Sequence, residues 1–582
     1  MVFSVKTSSA LLKERPLGAR GSRRIISSAE ASSELSPTAS AVLAALPSWW
    51  SARAEDAGLD GHWLDVTYAV DAEPPFSMSD LPQLEEEWSV LSGEEVGQAY
   101  VETLSVATRA RHGRHYTPVE LSSHLWAQAR RGLGMAGSGM KRLPGLVRDP
   151  ACGGGALLLP ALREHLRAST NLNPRLVLAG LPNLIDGIDN DPAAVWVANL
   201  VLAAEMLPTL ARIPEKDRRP LPALCRVGDG LEPVESRARA VVMNPPYGRV
   251  KLSEEERVRF ADFIYGHANI YGLFMAAASQ GLDEDGILAA LVPTSFLAGR
   301  YFSPLREHFS TSFRLREMAF VQKRSGVFST VLQETCLATF TQQRIRQTTV
   351  TSLRDGESVK VAKVPVPVGF EPWMMPRNSD IAAVSAAASQ MPLNLRSAGW
   401  KVSTGPLVWN RRAEDLNDKK GIPVIWSADF DGGMLHADAR RSAMRYLVVR
   451  SEKDRRTMTL EEPAVLVQRT TAPEQTRRLT SVYLTEDDLS DFGGSVVIEN
   501  HVNVLRPTVE KPLLSMELLN RLLQTHALDA VARCISGSVA LSAFELSALP
   551  FPDAETLSGW EDLDDHSLVT AVSHAYQIEV GS

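Results

Sequence analysis

Val241-Val242-Met243-Asn244-Pro245-Pro246-Tyr247-Gly248 is the stretch from which the fold of this chain can be inferred. Its three apolar residues predict the end of a buried parallel strand, and the two prolines prevent further sheet pairing and stiffen the backbone. The glycine permits a sharp exit from the loop. The stretch therefore predicts a rigid loop at the carboxyl end of a strand. Such a loop presents one amide side chain, two proline carbonyls and one aromatic ring, a set that can hold a planar group bearing an exocyclic amine.

Three strand-like runs upstream of this loop also end in acidic residues, which are Asp149, Asp189 and Asp229. The first acid leads into a turn with three glycines, 153–155, followed by a helix-like segment from Ala156 to Leu166. Glycines let a ligand approach the backbone closely, and an acid at the end of the second strand can accept both hydroxyls of a ribose. Ligands bind at the carboxyl edge of an open α/β sheet, so we expect the three acids and Asn244 to share one ligand there.

Two further segments complete this α/β pattern. His115-Tyr116-Thr117-Pro118 precedes a helix-like run from Val119 to Arg131, and threonine before proline predicts a helix N-cap with proline at the first helical position. Beyond the Asn244 loop we predict a buried strand over Gly286–Pro293 and a closing strand pair over 313–320 and 334–340. Between the members of that pair, Val327-Phe328-Ser329 predicts a loop with an exposed aromatic ring.

Composition limits the class of protein. The chain has 582 residues, too many for a single core, so we expect two or three domains. A net charge of −8 argues against a surface that coats nucleic acid everywhere, but it leaves a local basic cleft open. The four cysteines are scattered, without a Cys-x-x-Cys pair, which predicts a reducing compartment and no metal site. No apolar run approaches the roughly 20 residues of a membrane span and no signal-peptide layout opens the chain, so we expect a cytoplasmic protein.

The predicted domain order has four parts. Residues 1–108 form an N-terminal extension, with a flexible tail through about residue 48 (or an arm that touches phosphate) and then helices. Residues 109–345 form an α/β domain, 346–395 a connector, and 396–582 a C-terminal mixed α/β domain. Arginines are dense in the last part: Arg411, Arg412, Arg440, Arg441, Arg445, Arg450, Arg455, Arg456, Arg469, Arg477 and Arg478. On an acidic chain this clustering predicts a surface that faces a polyanion; the alternative is that the arginines are solvated or paired with acids.

The motif order HYTP, DPACGGG, GIDNDP, GDG and NPPYG resembles that of gamma-class DNA N6-adenine methyltransferases over about residues 109–340. The resemblance implies a Rossmann-like fold that depends on S-adenosylmethionine. It implies these cofactor-binding residues: Thr117, Asp149, Ala151, Cys152, Gly153, Gly155, Asp189 and Asp229. It implies these catalytic residues: Asn244, Pro245, Pro246 and Tyr247. Tyr247 and, by a looser match, Phe328 would stack on a base flipped out of the duplex.

The C-terminal part is similar to the target-recognition region of PstI/BsuBI-type modification methylases. The matching stretches are Ser403–Trp409, Val465–Arg469, Glu474–Arg478 and Glu499–Asn503. The similarity implies a site-specific enzyme of a Type II restriction–modification system, with double-stranded DNA as partner and a separate restriction endonuclease acting on the same site. We expect a monomer. The expected DNA-contacting residues are Arg411, Arg469, Arg477 and Arg478. One departure is Gly230, where some relatives carry a bulky apolar residue after the third acid.

Under this resemblance the exocyclic nitrogen of adenine is activated by two acceptors, the side-chain oxygen of Asn244 and the carbonyl of Pro245. Positioning and electrostatics would carry the step without a covalent intermediate, so Cys152 is expected to pack rather than react. Three alternatives stay open at this point. The first is methylation of an RNA base or a protein amide, which the arginine-dense C-terminal part disfavours. The others are a catalytically idle DNA-binding subunit, disfavoured by the intact tetrapeptide, and a fused restriction–modification enzyme, disfavoured by the short N-terminal part.

Overall fold

The computed structural model describes residues 37–75, 90–103, 117–135, 137, 139–322, 334–431, 433–471 and 475–578. They fall into two compact units. The first unit draws on residues up to Ser123, Gly137–Phe260 and His267–Gly281. The second unit draws on residues 124–136, Ala261–Gly266 and everything from Leu282 onward.

A parallel sheet organises the first unit. Its strands are β1 (Val147–Asp149), β2 (Ile185–Asp189), β3 (Cys225–Val227) and β4 (Ala238–Met243). Strand β1 pairs in parallel with both β2 and β4, and β2 pairs in parallel with β3, giving the order β3-β2-β1-β4. The chain thus runs outward from β1 to β3 and then crosses back to the other side of β1. This parallel, helix-linked arrangement confirms the predicted Rossmann-like α/β class.

The helices before Leu282 are α1 (Pro37–Asp56), α2 (Val66–Ala69), α3 (Gly93–Thr103), α4 (Val119–Gly132), α5 (Leu159–Ala168), α6 (Pro174–Gly180), α7 (Pro192–Ala211), α8 (Glu254–Arg259) and α9 (Ile270–Gln280). Helix α5 begins three residues later than predicted, because the backbone from Cys152 to Leu158 is taken up by tight turns. Helix α7 is the core helix of the unit. The buried side chain of Asn199 in α7 accepts from the N–H groups of Leu224 and Cys225 and so fixes the start of β3.

Helix α7 also corrects one expectation. Its 20 residues have a mean hydropathy of 1.6 over the most apolar window, so by length and composition it is apolar enough to cross a membrane. Because 83% of that window is buried inside the protein, the helix behaves as the core of a globular unit. The expectation that no apolar run approaches the length of a membrane span is therefore wrong, although its apolar residues pack within protein.

The N-terminal extension is ordered earlier than predicted. Helix α1 begins at Pro37 and buries Val42, Leu43 and two tryptophans. The indole N–H of Trp49 donates to the carbonyl of Leu91 at 2.8 Å, and that of Trp50 donates to Trp63 at 3.1 Å. The prediction of a flexible tail through about residue 48 is therefore wrong from Pro37 onward, because apolar burial outweighs the Ser/Ala-rich composition. Residues 1–36, including the basic patch, lie outside the described residues.

The second unit opens with a mixed sheet of five strands. They are β5 (Leu282–Pro293), β6 (Arg314–Val321), β7 (Thr335–Thr341), β8 (Gln347–Arg354) and β9 (Glu357–Pro365). Their order is β5-β7-β6-β8-β9, and the predicted antiparallel pairing of β6 with β7 is confirmed. Strands β8 and β9 lie within the segment predicted as a connector. That interpretation is wrong for residues 347–365, because β8 has a buried central run and pairs in parallel with β6.

The remainder of the second unit combines short strands with helices. Its strands are β10 (Leu393–Asn394), β11 (Trp400–Thr404), β12 (Leu416–Asn417), β13 (Ile422–Ile425), β14 (Phe430–Asp431), β15 (Met434–Leu435), β16 (Tyr446–Leu447), β17 (Thr459–Leu460), β18 (Ala464–Gln468), β19 (Ser481–Leu484), β20 (Val496–Ile498), β21 (Val502–Pro507) and β22 (Pro550–Phe551). Its helices are α10 (Ser295–Ala298), α11 (Ser303–Thr311), α12 (Ala382–Ala388), α13 (Glu452–Met458), α14 (Glu486–Asp491), α15 (Met516–Leu523), α16 (His526–Ile535), α17 (Ala543–Ser547), α18 (Ala554–Trp560) and α19 (Asp565–Ala575).

Two of these small sheets carry the C-terminal core. The order of the first is β11-β21-β18-β19 and that of the second is β12-β16-β13-β20-β17. The helices α15 and α16 cover one face of the first sheet, where Trp400, Leu505 and Leu519 are buried together. This mixed α/β construction confirms the predicted class of the C-terminal part. The predicted domain boundaries stay a prediction.

Candidate active site

The candidate site lies at the carboxyl ends of the four parallel strands of the first unit. Asp149 is the last residue of β1 and Asp189 is the last residue of β2. Asp229 follows β3 by two residues, and Asn244 follows β4 directly. Because β1 has a neighbour on each side reached by opposite crossovers, this edge contains the topological switch point where open α/β sheets bind ligands.

The glycine turn after β1 is held in place by carboxylates. The N–H of Ala151 donates to Asp149 Oδ1 at 3.0 Å, and the N–H of Gly153 donates to Asp189 Oδ2 at 2.9 Å. The backbone of Gly153 has φ +49°, and a Cβ placed there would meet nothing within 4 Å. The turn therefore leaves open space beside its backbone, as the close approach of a ligand requires.

Asp189 holds two backbone donors at the edge of the sheet. Its Oδ1 accepts from the N–H of Asp191 at 2.9 Å, in addition to the bond from Gly153 to Oδ2. The residue is half-buried, so part of its surface remains accessible to solvent. Asp229 likewise accepts from the N–H of Leu231 at 2.9 Å and is half-buried.

Asp149 is an unusual carboxyl group. Its side chain is 1% exposed, and burial raises its pKa to about 8, with the charge of Asp189 acting in the same direction. The hydrogen bond from Ala151 opposes this shift but is the smaller effect. At neutral pH the carboxyl therefore retains a proton, and a positively charged ligand would favour its ionised form.

Cys152 packs against a second thiol. A hydrogen bond to the Cys225 thiol, together with burial, raises the pKa of Cys152 well above its ordinary range. Gly187 of β2 lies against this pair, because a Cβ built on Gly187 would come 3.0 Å from the sulfur of Cys152 and closer still to that of Cys225. A buried, protonated thiol is a poor nucleophile, which agrees with the packing role expected from the sequence.

The Asn244 carboxamide is held by two hydroxyl groups. Its Nδ2 donates to the Thr117 Oγ1 at 2.9 Å, and its Oδ1 accepts from the Tyr247 hydroxyl at 2.9 Å. Thr117 is buried, and it lies 127 residues before Asn244 in sequence. The structure thus brings three predicted site residues together, and it gives the threonine a contact with Asn244 that the predicted helix cap did not include.

The ring of Tyr247 is oriented by a residue that the sequence did not indicate. Tyr271 of α9 is fully buried, and its ring meets that of Tyr247 edge-to-face at a centroid distance of 6.1 Å. Pro245 is buried while Pro246 is half-buried, so the loop backbone is packed on one side and accessible on the other. The side chains of Asn244 and Tyr247 are both half-buried and keep a solvent-facing surface.

Helix α3 supports the glycine turn from the N-terminal extension. A Cβ placed on Gly154 would lie 2.9 Å from the Cα of Gly97, so the two backbones are in close contact. The Tyr100 hydroxyl donates to Asp191 Oδ2 at 2.8 Å, and Asp191 also caps α7 through the N–H of Ala193. Neither Gly97 nor Tyr100 belongs to a recognisable motif. The only sequence signal for this contact is the glycine at position 97, whose small size permits close packing.

Gly230 has a structural explanation. A Cβ on this residue would lie 1.8 Å from the carbonyl oxygen of Pro150 and 3.0 Å from the ring of Phe274. Any side chain is therefore excluded by the backbone that follows β1. The close approach of two loops thus fills the space beside Gly230.

The four arginines predicted to contact DNA have different environments. Arg478 is 1% exposed, and its guanidinium donates to the carbonyls of Thr471, Ser538 and Val539. A buried guanidinium cannot reach a phosphate, so the prediction is wrong for Arg478. Arg477 and Arg469 are half-buried and donate to backbone carbonyls, whereas Arg411 is exposed. The role of these three stays a prediction. His115, Tyr116 and Phe328 lie outside the described residues.

Comparisons with known proteins find a family match that includes the loop. Residues 237–328 match the family described as Eco57I restriction-modification methylase. The chain is 24% identical over 332 residues to the Type II methyltransferase M.BsuBI of Bacillus subtilis, a match that covers 54% of this chain and 65% of that relative. It is 24% identical over 346 residues to the Type II methyltransferase M.PstI of Providencia stuartii, covering 56% of this chain and 67% of that relative.

The chain therefore spans about two thirds of the length of these relatives. Among solved structures it is similar to the type IIG restriction endonuclease BpuSI, with a TM-score of 0.46 and 14% identity over 95% of this chain and 74% of that chain. The family match includes β4 and the whole Asn244–Tyr247 loop. The segment that carries the loop thus matches the Eco57I restriction-modification methylase family, in a chain that is similar to Type II methyltransferases.

Proposed function

We propose that this protein methylates DNA as the modification enzyme of a Type II restriction–modification system. The reaction is transfer of a methyl group from S-adenosylmethionine to the N6 amine of a flipped adenine in a short duplex sequence. The observation that carries the proposal is the Asn244 carboxamide, held by Thr117 and Tyr247 at the edge where the carboxylates and the open glycine turn lie. The family match and the two Type II methyltransferase relatives support the same reaction class.

The loop activates an amine by accepting its hydrogens. The lone pair of an exocyclic adenine nitrogen is delocalised into the ring, which makes it a poor nucleophile. Asn244 Oδ1 would accept one N–H of the amine and the carbonyl of Pro245 the other, which draws the nitrogen toward tetrahedral geometry and frees its lone pair. The proline ring keeps that carbonyl rigid. Preorganised acceptors of this kind stabilise the developing charge without reorganisation, so positioning and electrostatics carry the step.

The residues around the glycine turn fit the cofactor. When bound, S-adenosylmethionine supplies an electrophilic methyl group on a sulfonium. The Asp189 carboxylate, half-buried at the carboxyl end of β2, would accept the ribose hydroxyls. Asp229 would accept the amine of the cofactor adenine. The open side of Gly153 allows close approach of the ligand, and a cationic ligand would favour ionisation of Asp149.

The target base must leave the duplex before its amine can reach Asn244. Flipping costs a few kcal/mol, and stacking on an aromatic ring returns about 1–3 kcal/mol per base. Tyr247 would provide that ring, since the buried Tyr271 fixes its orientation edge-to-face. Phe328 is proposed as the second stacking ring. We further propose that the enzyme acts as a monomer in the cytoplasm, where a restriction endonuclease would recognise the same site.

One experiment tests this function. The protein is incubated with tritium-labelled S-adenosylmethionine and duplex genomic DNA, and the methylated base is mapped by sequencing. We expect N6-methyladenine in a single short motif, with no cleavage of the DNA. Label in RNA or in protein amides, label on cytosine, or no transfer to DNA would each contradict the proposal. Asn244→Ala serves as the catalytic control, because its failure to label DNA ties the signal to this site.

A further inference from the structure

The second unit contains a basic cleft that could contact DNA. Its volume is about 420 Å³, and its charged lining residues are Arg300, Arg396 and Lys401, with no acidic residue among the described side chains that line it. We propose that this cleft binds the phosphodiester backbone of the DNA substrate. The inference rests on the proposed function, because it takes the substrate to be duplex DNA.

The charges of the cleft are only partly neutralised by protein. Arg396 pairs with Glu371 at 2.7 Å. Arg300 instead donates to the Tyr265 hydroxyl at 2.6 Å and stacks over its ring at 4.9 Å, and Lys401 is exposed. Within the part of the chain that the structure describes, neither Arg300 nor Lys401 has an ion pair with a carboxylate. Two cationic groups therefore remain available to an anion.

A cross-strand pair strengthens the positive potential beside the cleft. Lys401 of β11 lies opposite Arg506 of β21 in the antiparallel register. Like charges in directly opposite positions destabilise a sheet unless a counterion is present. No carboxylate pairs with either side chain among the described residues. A polyanion laid along this edge would offset the repulsion, whereas a small neutral ligand would not.

The neutral groups of the cleft are mostly committed to the protein. Thr508 Oγ1 donates to the carbonyl of Gly399 at 3.0 Å, and Ser547 Oγ donates to that of Phe544 at 2.9 Å. The indole N–H of Trp400 is buried and has no hydrogen-bond acceptor within the described protein. The groups open to a ligand are therefore the cations. Arginine and lysine donate to phosphate oxygens, and such contacts position DNA without reading its sequence.

The test uses charge-neutral variants of the two unpaired cations. Arg300→Gln combined with Lys401→Gln is compared with wild type in fluorescence anisotropy with labelled duplex DNA over a range of salt concentrations. Two lost phosphate contacts should weaken binding by about tenfold at low salt and reduce the slope of log affinity against log salt by about 2. The loss should be equal for specific and non-specific duplexes. Lys363→Gln is the matched control, because Lys363 is exposed on β9 and does not line the cleft.

The outcomes separate the cleft from the proposed function. Unchanged affinity and slope in the double variant, with wild type still methylating DNA, would overturn the cleft alone. Failure of wild type to bind or methylate DNA would overturn the proposed function as well. A loss confined to the specific duplex would also contradict a phosphate contact.

A second experiment titrates the protein with inorganic phosphate by calorimetry. If the double variant abolishes tight phosphate binding but leaves DNA affinity unchanged, the cleft binds a free anion and not DNA. Matching thermal unfolding curves confirm that the variant is folded.

Discussion

The Asn244–Tyr247 loop and the arginine-rich segment from Arg411 to Arg478 use polar side chains in opposite ways. In the loop, one half-buried carboxamide is oriented by two hydroxyls and keeps a surface that a ligand can reach. In the segment, most guanidinium groups are committed to carboxylates and carbonyls of the same unit. Residue type alone therefore does not show which polar group serves a ligand, because the partners and the exposure of each side chain differ between the two regions.

Ion pairs within the protein occupy many of the arginines in this segment. They join Arg412 to Asp415 and Asp454, Arg440 to Asp438, Arg445 to Asp429, Arg450 to Glu414 and Asp415, and Arg455 to Glu461. The alternative that arginines pair with the many acids thus holds for five members of the cluster. A surface for a polyanion must then be sought where cations lack such partners, as at Arg300 and Lys401.

The largest effect is expected from Asn244→Ala. The change removes the side-chain acceptor of the amine, so the rate of methyl transfer should fall by roughly 100- to 1,000-fold or more, the scale of losing one preorganised polar group. Affinity for S-adenosylmethionine, measured by calorimetry, should persist. Asn173→Ala is a matched control, because that asparagine caps α6 through the N–H of Arg175. Full activity of Asn244→Ala in a tritiated-methyl assay would remove the loop from the mechanism.

The next effect is on stability and concerns Arg478. Replacement by methionine keeps much of the apolar volume but leaves the carbonyls of Thr471, Ser538 and Val539 without their donor. Buried carbonyls that lose partners cost free energy, so the free energy of unfolding should fall by about 2–4 kcal/mol. Denaturant titration measures the change. The same substitution at Arg440, whose side chain is 83% exposed, should leave the midpoint unchanged. Equal midpoints for the two variants would contradict a structural role for Arg478.

The positions of site residues could be predicted from the sequence where they depend on a local pattern. A strand that ends in an acid fixes the position of that acid at the sheet edge, so Asp149, Asp189 and Asn244 could be placed before the structure was known. The Tyr100–Asp191 and Arg412–Asp454 contacts join residues 91 and 42 positions apart, and no local pattern specifies such pairs. Helix α1 was missed because its Ser/Ala-rich approach resembles a solvated tail, although its apolar residues are buried.

A third effect concerns pH and Asp149. Its pKa is raised to about 8 in the folded protein from an ordinary value of 3.8, so the folded state binds the proton more tightly than the unfolded state. The stability contribution is fully present below pH 3.8 and is lost as the pH rises toward 8. Over that window the free energy of unfolding should fall by about 1.4 kcal/mol per pH unit from this group.

Asp149→Asn isolates that contribution, because asparagine does not titrate. The difference in melting temperature between wild type and variant should change steadily from pH 5 to pH 8 and then level off. Glu95→Gln is a control for an exposed carboxyl group, since backbone and side-chain bonds from Ser92 lower the pKa of Glu95 and place its titration in the acid range. A pH-independent difference for Asp149→Asn would mean that the carboxyl is ionised in the folded protein.

The smallest effect is expected from Arg411→Ala, and it bears most directly on the contrast between the two regions. Arg411 is exposed, and the described residues provide no ion-pair partner for it, so unfolding free energy should change by less than about 0.5 kcal/mol. If Arg411 contacts a phosphate, anisotropy should show a weaker complex and a salt slope reduced by about 1, equally for every duplex. Arg455→Ala, which breaks a surface pair with Glu461, is the control. An unchanged salt slope for Arg411→Ala would mean that this unpaired arginine faces solvent and does not contact DNA. The Arg300–Lys401 cleft would then be the remaining proposed phosphate-binding surface of the second unit.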